Sequence, residues 1–351
     1  MTWMMPWEGD PHDRLWLAWP VGGYALGDSD ETALAAQRTW AAVANAAAEF
    51  EPVTVVVDPA DLDAARAHLS GSIELREAPL DDAWMRDVGP TYVIDRDAEG
   101  GPKLGGVDWI FNGWGAPDWA VWGKDHEIAR SVLGWSGGER IASSIVNEGG
   151  GIHVDGRGTV LLTETVQRGQ GRNAHLSRVE IEAEMLRTIG ATTAIWLDRG
   201  LTRDYERFGT RGHVDIVAAF AAPGRVLVHD QTDPSHPDHE VTAEVVARLA
   251  ESRDAAGNAL DVVRLPAPSK LRAKDVEGVD DWVDYSYVNH VLVNGGVIAC
   301  GFDDPMDEVA AGILAEQYPG RTVVTVDARE LYARGGGIHC ITQQQPSLPA
   351  R

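Results

Sequence analysis

One order of elements recurs along this chain, and that repetition constrains the fold more than any other feature. Residues 152–163 read as two short strands around the turn Asp155-Gly156-Arg157-Gly158. A helix-like stretch from Ser177 to Ile189 and an apolar strand from Thr193 to Leu197 follow. Ser177 is placed to cap that helix, with Glu180 three residues on as its reciprocal partner. The order returns with His213 to Ala221 and Arg225 to Val228 about the turn Pro223-Gly224, then a helix from about Glu240 to Glu251 and a strand from Leu260 to Leu265. A third copy runs through Tyr287 to Val293, the turn Asn294-Gly295-Gly296 and Val297 to Cys300. It is completed by a helix around Asp307 to Gln317 and the strand Thr322 to Val326. Asp-Gly and Asn-Gly between apolar runs are strong hairpin signals. Copies about 70 residues apart suggest units arranged around an axis. Val53 to Asp58 and Pro90 to Ile94 fit as parts of two more. An ordinary layered α/β protein is the competing architecture. The radial one has the consequence that matters: equivalent loops converge on a central pocket, so residues remote in sequence meet there.

No low-complexity linker and no composition shift interrupts the chain, so residues 1–351 are expected to form one domain, with enough apolar residues (44%) for a sizeable core. No apolar run approaches the roughly 20 residues that span a bilayer. The start, Met1-Thr2-Trp3-Met4-Met5-Pro6-Trp7, lacks a basic stretch followed by an apolar one, so no signal peptide is expected. Cys300 and Cys340 are the only cysteines, too few for a secreted disulfide framework, which points to a reducing cytoplasm. The net charge of −24 argues against a nucleic-acid partner, since phosphate binders present a basic face. It would draw a cationic ligand weakly, although an acidic surface kept for solubility explains it as well. Oligomeric state is left open, and a homo-oligomer is compatible with the sequence.

Four segments concentrate reactive residue types: Asp82 to Pro90, Asn147 to Gly150, Gly212 to Asp215, and Gly335 to Cys340. Cys340 follows Gly335-Gly336-Gly337, whose entropic cost is best explained by close approach of the main chain to something, a ligand or a tight turn. Cys300 ends an apolar strand and reads as packing. His213 and Asp215 stand two apart at the start of a predicted strand, so period-2 alternation aims both at one face, as a proton-transfer site needs. His153-Val154-Asp155 has the same spelling, but Asp155 precedes Gly156 and reads as a turn residue, so the second copy is preferred. Asp87 after Arg86 admits an Arg–Asp contact, Glu148 a loop carboxylate, and Trp84 and Trp114 core packing. His229, His236 and His239, with Asp230, Asp233 and Asp238, match no zinc spacing, and Pro234 and Pro237 mark an irregular loop, so no metal is expected.

Taken together, these segments resemble the agmatine deiminase family. The resemblance spans nearly the whole chain. It begins at Trp7-Glu8, His12 and Trp16-Leu17-Ala18-Trp19-Pro20, and continues through Trp84-Met85-Arg86-Asp87-Val88-Gly89-Pro90-Thr91 and Asp108 to Gly115. Glu148 to Gly156 and Gly212-His213-Val214-Asp215 follow, and Ile338-His339-Cys340-Ile341-Thr342-Gln343-Gln344-Gln345-Pro346 ends it. It implies a five-bladed α/β propeller (pentein fold) of repeated ββαβ units, shared with other guanidine-modifying enzymes. It implies hydrolysis of a small cationic guanidine to a ureido product with release of ammonia, agmatine to N-carbamoylputrescine first among the options, a step of polyamine biosynthesis. Cys340 would be the nucleophile that forms a thiouronium adduct, His213 the general acid and base, and Asp87 and Asp215 the grip on the guanidinium, with Glu148 part of the same carboxylate set. Trp84 and Trp114 would be aromatic walls, and no metal or organic cofactor would take part. Another guanidine (an arginine derivative or peptidyl arginine), amidine transfer to an amine, and a non-catalytic binding module on the same fold are the alternatives. Many relatives carry Asn at the place of Gly337 and Ala at that of Gly113. The stretch Thr202 to Arg211 is longer and more basic than usual, which suggests contact with the distal end of the substrate, its three arginines suiting a carboxylate better than an amine.

Overall fold

The structure, a computed structural model, describes residues 2–23, 25–269 and 282–349. Four of its sheets are built alike, each a hairpin followed by a helix and a third, parallel strand. The first strand, β1 (His12–Ala18), stands apart from them for now, with β2 (Val53–Val57) and β3 (Glu74–Glu77) parallel beside it. The four regular sheets are β4 (Thr91–Asp95), β5 (Lys103–Ile110) and β6 (Glu139–Val146); β7 (Ile152–Val154), β8 (Thr159–Thr163) and β9 (Thr193–Leu197); β10 (Ala218–Ala222), β11 (Arg225–Asp230) and β12 (Asp261–Pro266); and β13 (Val291–Val293), β14 (Gly296–Gly301) and β15 (Thr322–Asp327). In each, the first two strands run antiparallel and the last two parallel. The last strand, β16 (Thr342–Pro346), pairs antiparallel with β1, Leu17 opposite Thr342 and His12 opposite Pro346. The end of the chain thereby supplies the missing hairpin strand of the first sheet and closes a ring of five. This is a five-bladed α/β propeller.

Crossover helices make the parallel pairing possible, since parallel strands need a long connection. They are α1 (Asp30–Ala48), α2 (Ile128–Ser136), α3 (Arg178–Ile189), α4 (Asp238–Glu251) and α5 (Met306–Gln317). The start of α3 is set by its sequence: Ser177 Oγ accepts the Glu180 N–H while the Glu180 carboxylate accepts the Ser177 N–H, and Gly190 ends it at φ 71°. Such a reciprocal cap is worth about 1 kcal/mol. The apolar face of α1 (Trp40, Val43, Ala44, Ala47) packs on β2 and reaches β14 and β15 of the neighbouring blade. Strands sandwiched this way are largely apolar, and all five positions of β8 (Thr-Val-Leu-Leu-Thr) are buried.

Two expected strands begin later than their apolar runs suggest. His213 precedes a 3-10 turn at Val214–Ile216 that contains Asp215, and β10 starts only at Ala218. The buried Asp204 carboxylate draws the backbone off the extended path by accepting the N–H groups of Thr210, Gly212 and His213 at 2.6, 2.6 and 3.1 Å. Likewise β13 is only Val291–Val293, because Ser286 to His290 turn back through local hydrogen bonds. The layered alternative fails because no sheet is shared between blades. The apolar cores lie within and between blades. Around the axis the buried residues are polar instead: Glu8, Arg86, Asp87, Glu148, His153, His213, Asp215 and His339.

Candidate active site

Every blade sends one short loop to the axis just before its opening strand, and each loop carries a polar side chain. Asp87 precedes β4, Glu148 precedes β7, His213 and Asp215 precede β10, Asn289 precedes β13, and Cys340 precedes β16. The fold repeat therefore places these residues at equivalent positions, which is why they meet.

Cys340 and Asp87 line a small pocket together with Trp84, Trp114, Trp119, Phe208, Thr210, Arg334 and Gly335. The Cys340 thiol donates to Asp215 Oδ2 at 3.4 Å and accepts from Asn289 Nδ2 at 3.3 Å. Burial and the carboxylates of Asp215 and Asp87 push this thiol well above its ordinary pKa. Asp87 is held at both oxygens: Oδ1 accepts the Gly150 N–H at 2.9 Å and Oδ2 the Trp114 indole N–H at 2.8 Å. Burial outweighs the nearby His213 and raises the Asp87 pKa.

His213, Asp215 and Glu148 lie one layer behind the cavity wall. His213 Nε2 is 3.3 Å from Glu148 Oε2, and its Nδ1, 3.9 Å from Asp87 Oδ2, has no hydrogen-bond partner among the described residues. Burial pulls the His213 pKa down, but Asp87, Glu148 and Asp215 together outweigh it and push it up to about 9. Glu148 is fully buried and resists protonation because Arg172 Nε sits 3.0 Å from both its oxygens and His213 hydrogen-bonds it. Asp215 is likewise kept ionised against burial, chiefly by a 2.8 Å hydrogen bond to His339 Nδ1. Its Oδ1 has no partner among the described residues. Two buried polar atoms, His213 Nδ1 and Asp215 Oδ1, thus lack a partner among the described residues, and a buried donor or acceptor left unsatisfied costs about 1–3 kcal/mol.

The three glycines before Cys340 do reflect close approach. A Cβ on Gly336 would lie 2.5 Å from the Trp84 ring, and one on Gly337 would lie 2.3 Å from Asn289 Oδ1. What approaches is the wall of the site itself. Arg86 turns away from Asp87, donating to the His339 carbonyl and to Gln344 Oε1. Trp114 is more than a wall, since its indole holds Asp87 while its ring stacks on Trp119 at 5.8 Å. Its backbone sits at φ 63°, a strained setting for a tryptophan, next to Gly113 and Gly115, which also adopt positive φ.

Of the segment 202–211, Phe208 and Thr210 reach the cavity, whereas the arginines do not line it. Arg203 lies 3.8 Å from Asp284, Arg207 lies over the Phe208 ring, and Arg211 donates to the Tyr205 carbonyl. Of this segment it is thus an aromatic ring and a hydroxyl, not the arginines expected to contact a substrate, that line the pocket. His153 keeps to the preferred reading: Asp155 holds the turn by accepting from Arg157 and Thr159, and His153 Nδ1 accepts the Phe220 N–H. Of the histidines at 229, 236 and 239, the last two are spent in hydrogen bonds and the first is buried. His236 contacts the Val283 carbonyl and the Asp238 N–H, His239 the Gln231 carbonyl, and burial pushes His229 down to about 3.

Among the described residues, Glu8, His153 and His339 do come within metal-ligating range of one another. Their hydrogen bonds oppose that use. Because His153 Nδ1 is an acceptor, its Nε2 carries the proton and faces Glu8 as a donor. No helix among the described residues is long and apolar enough to cross a membrane. Sequence reasoning missed Asn289, Arg172 and Trp119.

Residues 4–346 match the family model of Porphyromonas-type peptidyl-arginine deiminases. A Streptomyces coelicolor protein provisionally named an agmatine deiminase is 56% identical over 346 residues, 99% of each chain. The agmatine deiminase of Ectopseudomonas mendocina is 42% identical over 365 residues, covering 98% of this chain and 95% of that one. The solved structure of the Enterococcus faecalis agmatine deiminase superposes with a TM-score of 0.90 at 32% identity, over 99% of this chain and 96% of that one.

Proposed function

The chain belongs to the Porphyromonas-type peptidyl-arginine deiminase family, and from that premise we propose that it hydrolyses agmatine to N-carbamoylputrescine and ammonia through a thiouronium adduct on Cys340. It is a hydrolase of carbon–nitrogen bonds in linear amidines, as its relatives are. The observation that carries the proposal is the thiol of Cys340 in contact with Asp215 and beside Asp87 in one buried cluster.

A guanidinium is a flat cation whose delocalised charge makes its carbon a poor electrophile. Carboxylates on two sides hold it by charge-assisted hydrogen bonds and fix the carbon over sulfur. Asp87, braced by Trp114 and Gly150, and Asp215, with Oδ1 unpartnered, are the two supports. The same carboxylates that push the free thiol up are neutralised by the incoming cation. Substrate binding therefore favours the thiolate, and the thiol proton leaves to solvent. Sulfur attacks the guanidinium carbon. His213, protonated at neutral pH, gives the Nδ1 proton to the departing nitrogen, which leaves as ammonia. Neutral His213 then takes a proton from water as its oxygen adds to the adduct, and the carbon–sulfur bond breaks to free the ureido product. Glu148, backed by Arg172, holds Nε2 so that Nδ1 faces the reaction. No step calls on a metal or an organic cofactor. The cavity, closed by Trp119, Phe208 and Arg334, suits a small molecule better than a peptide chain.

A colorimetric ureido assay across agmatine, arginine and arginine peptides, with Cys340→Ala alongside, tests this. Product from agmatine with the wild type alone is expected. Product only when an acceptor amine is added would replace hydrolysis by transfer.

A further inference from the structure

His339, the residue before the nucleophile, has no part in the steps above, yet its surroundings are as exacting as those of His213. It is 3% exposed, with Nδ1 2.8 Å from Asp215 Oδ2 and Nε2 3.0 Å from Glu8 Oε2. A neutral imidazole has one N–H and one lone pair, so one of these carboxylates would face a lone pair; only the imidazolium donates to both. Glu8 is fixed for the purpose, since its Oε1 accepts the Leu292 N–H at 3.1 Å.

The other groups facing the ring are Arg86, Cys340, His153 (ring centroids 6.0 Å apart) and His290. Burial and Arg86 oppose protonation of His339, and Glu8 and Asp215 outweigh them. Burial holds His153 and His290 neutral, down at about 3 and about 4, so they add no charge near neutral pH. Asp215 Oδ2 then accepts from two donors, the His339 Nδ1–H and the Cys340 thiol, and Oδ1 is left without a partner among the described residues.

We propose that His339, held by Glu8, is a positioning residue of this site: a fixed imidazolium that ties down Asp215 Oδ2, keeps that side chain a carboxylate and reserves Oδ1 for the cationic substrate. The inference rests on the guanidine-hydrolysing reading above.

Two readouts test it. The first, ring-15N-histidine NMR, does not depend on turnover. Both His339 nitrogens, assigned by their loss in His339→Gln, are expected to carry protons at neutral pH and above. In Glu8→Gln they should revert to a neutral ring at lower pH. The second is the pH profile of kcat/KM. Removing the cation beside Asp215 raises that carboxyl's pKa, so the acid limb of His339→Gln should move to higher pH by about 1–3 units. KM should rise more than kcat falls, with partial recovery at alkaline pH. Should His339→Gln fail to fold, Glu8→Gln, which preserves shape but leaves one acceptor oxygen in place of the two that meet the Leu292 N–H and His339 Nε2–H, carries the kinetic test with a smaller shift in kcat/KM. There the shift should be a loss of activity on the alkaline side, where His339 now deprotonates. A neutral His339 ring in the wild type near pH 7, or an equal loss of kcat at every pH with unmoved limbs, would overturn the proposal. Absence of ureido product from the wild type would instead remove the functional reading, and the 15N titration would still decide the charge on His339.

Discussion

Glu148→Gln removes one of the anions that keep His213 protonated while preserving shape. The two side chains are 3.3 Å apart and both are buried. At an effective dielectric of about 20 the Coulomb energy of the pair is about 5 kcal/mol, a ceiling of three to four pKa units. A carboxylate at this range ordinarily moves a neighbour by about 1–3 units. The sign follows from the direction of the native shift. His213 is raised to about 9, so its protonated form is present below that pH and lost as pH rises through it. Without Glu148, and with Arg172 left as an unbalanced cation 3.0 Å from position 148, that loss comes at lower pH. The alkaline limb of kcat/KM should therefore fall from near 9 towards neutrality, with activity best retained on the acid side. Unpairing Arg172 should also destabilise the fold by about 3–5 kcal/mol, read as a lower melting temperature. The assay is the ureido profile of both proteins across neutral to alkaline pH, at a temperature where both are folded. An alkaline limb that stays at its native position would refute the assignment of Glu148 as the group that sets His213.

Further outcomes follow from the same geometry. Asp215→Asn should speed alkylation of Cys340 by iodoacetamide at neutral pH while abolishing turnover, because that carboxylate raises the thiol's pKa; slower alkylation would reverse the electrostatic argument. Gly150→Ala would place a methyl 2.5 Å from His213 Nδ1, and a displacement of that scale should cost about 100-fold in kcat, with the melting temperature as control. Trp114→Phe keeps the ring and deletes the N–H to Asp87 Oδ2. A hydrogen bond to a charged group is worth about 1.5–3 kcal/mol, so kcat/KM for agmatine should fall about 10- to 100-fold, and an unchanged value would show that the indole N–H is idle.

The repeat was legible because hairpin turns such as Asn294-Gly295 and caps such as Ser177 with Glu180 are local signals. Helix and strand positions in the last three blades came out within a few residues for that reason. Of the first blade only the stretch from Val53 to Asp58 was legible, because its hairpin strand β16 lies more than 300 residues from its partner β1 along the chain. Pairing across that distance leaves no local pattern. The path of His213 to Asp215 was misread because its turn is set by Asp204, whose burial the sequence does not display. The reactive types at Cys340, Asp87 and Asp215 stood out by composition, but which of them touches which is decided by the ring. Glu148 shows the difference. Its spelling fits a substrate carboxylate, and its packing against Arg172 and His213 makes it a support for the histidine.

Quenching the wild-type enzyme in acid during turnover of agmatine and mapping its peptides by mass spectrometry tests the covalent step most directly. The expected finding is a peptide containing Cys340 heavier by the substrate less one ammonia, absent from Cys340→Ala, which makes no ureido product. Steady ureido production by Cys340→Ala, or an adduct carried on any other residue, would contradict it.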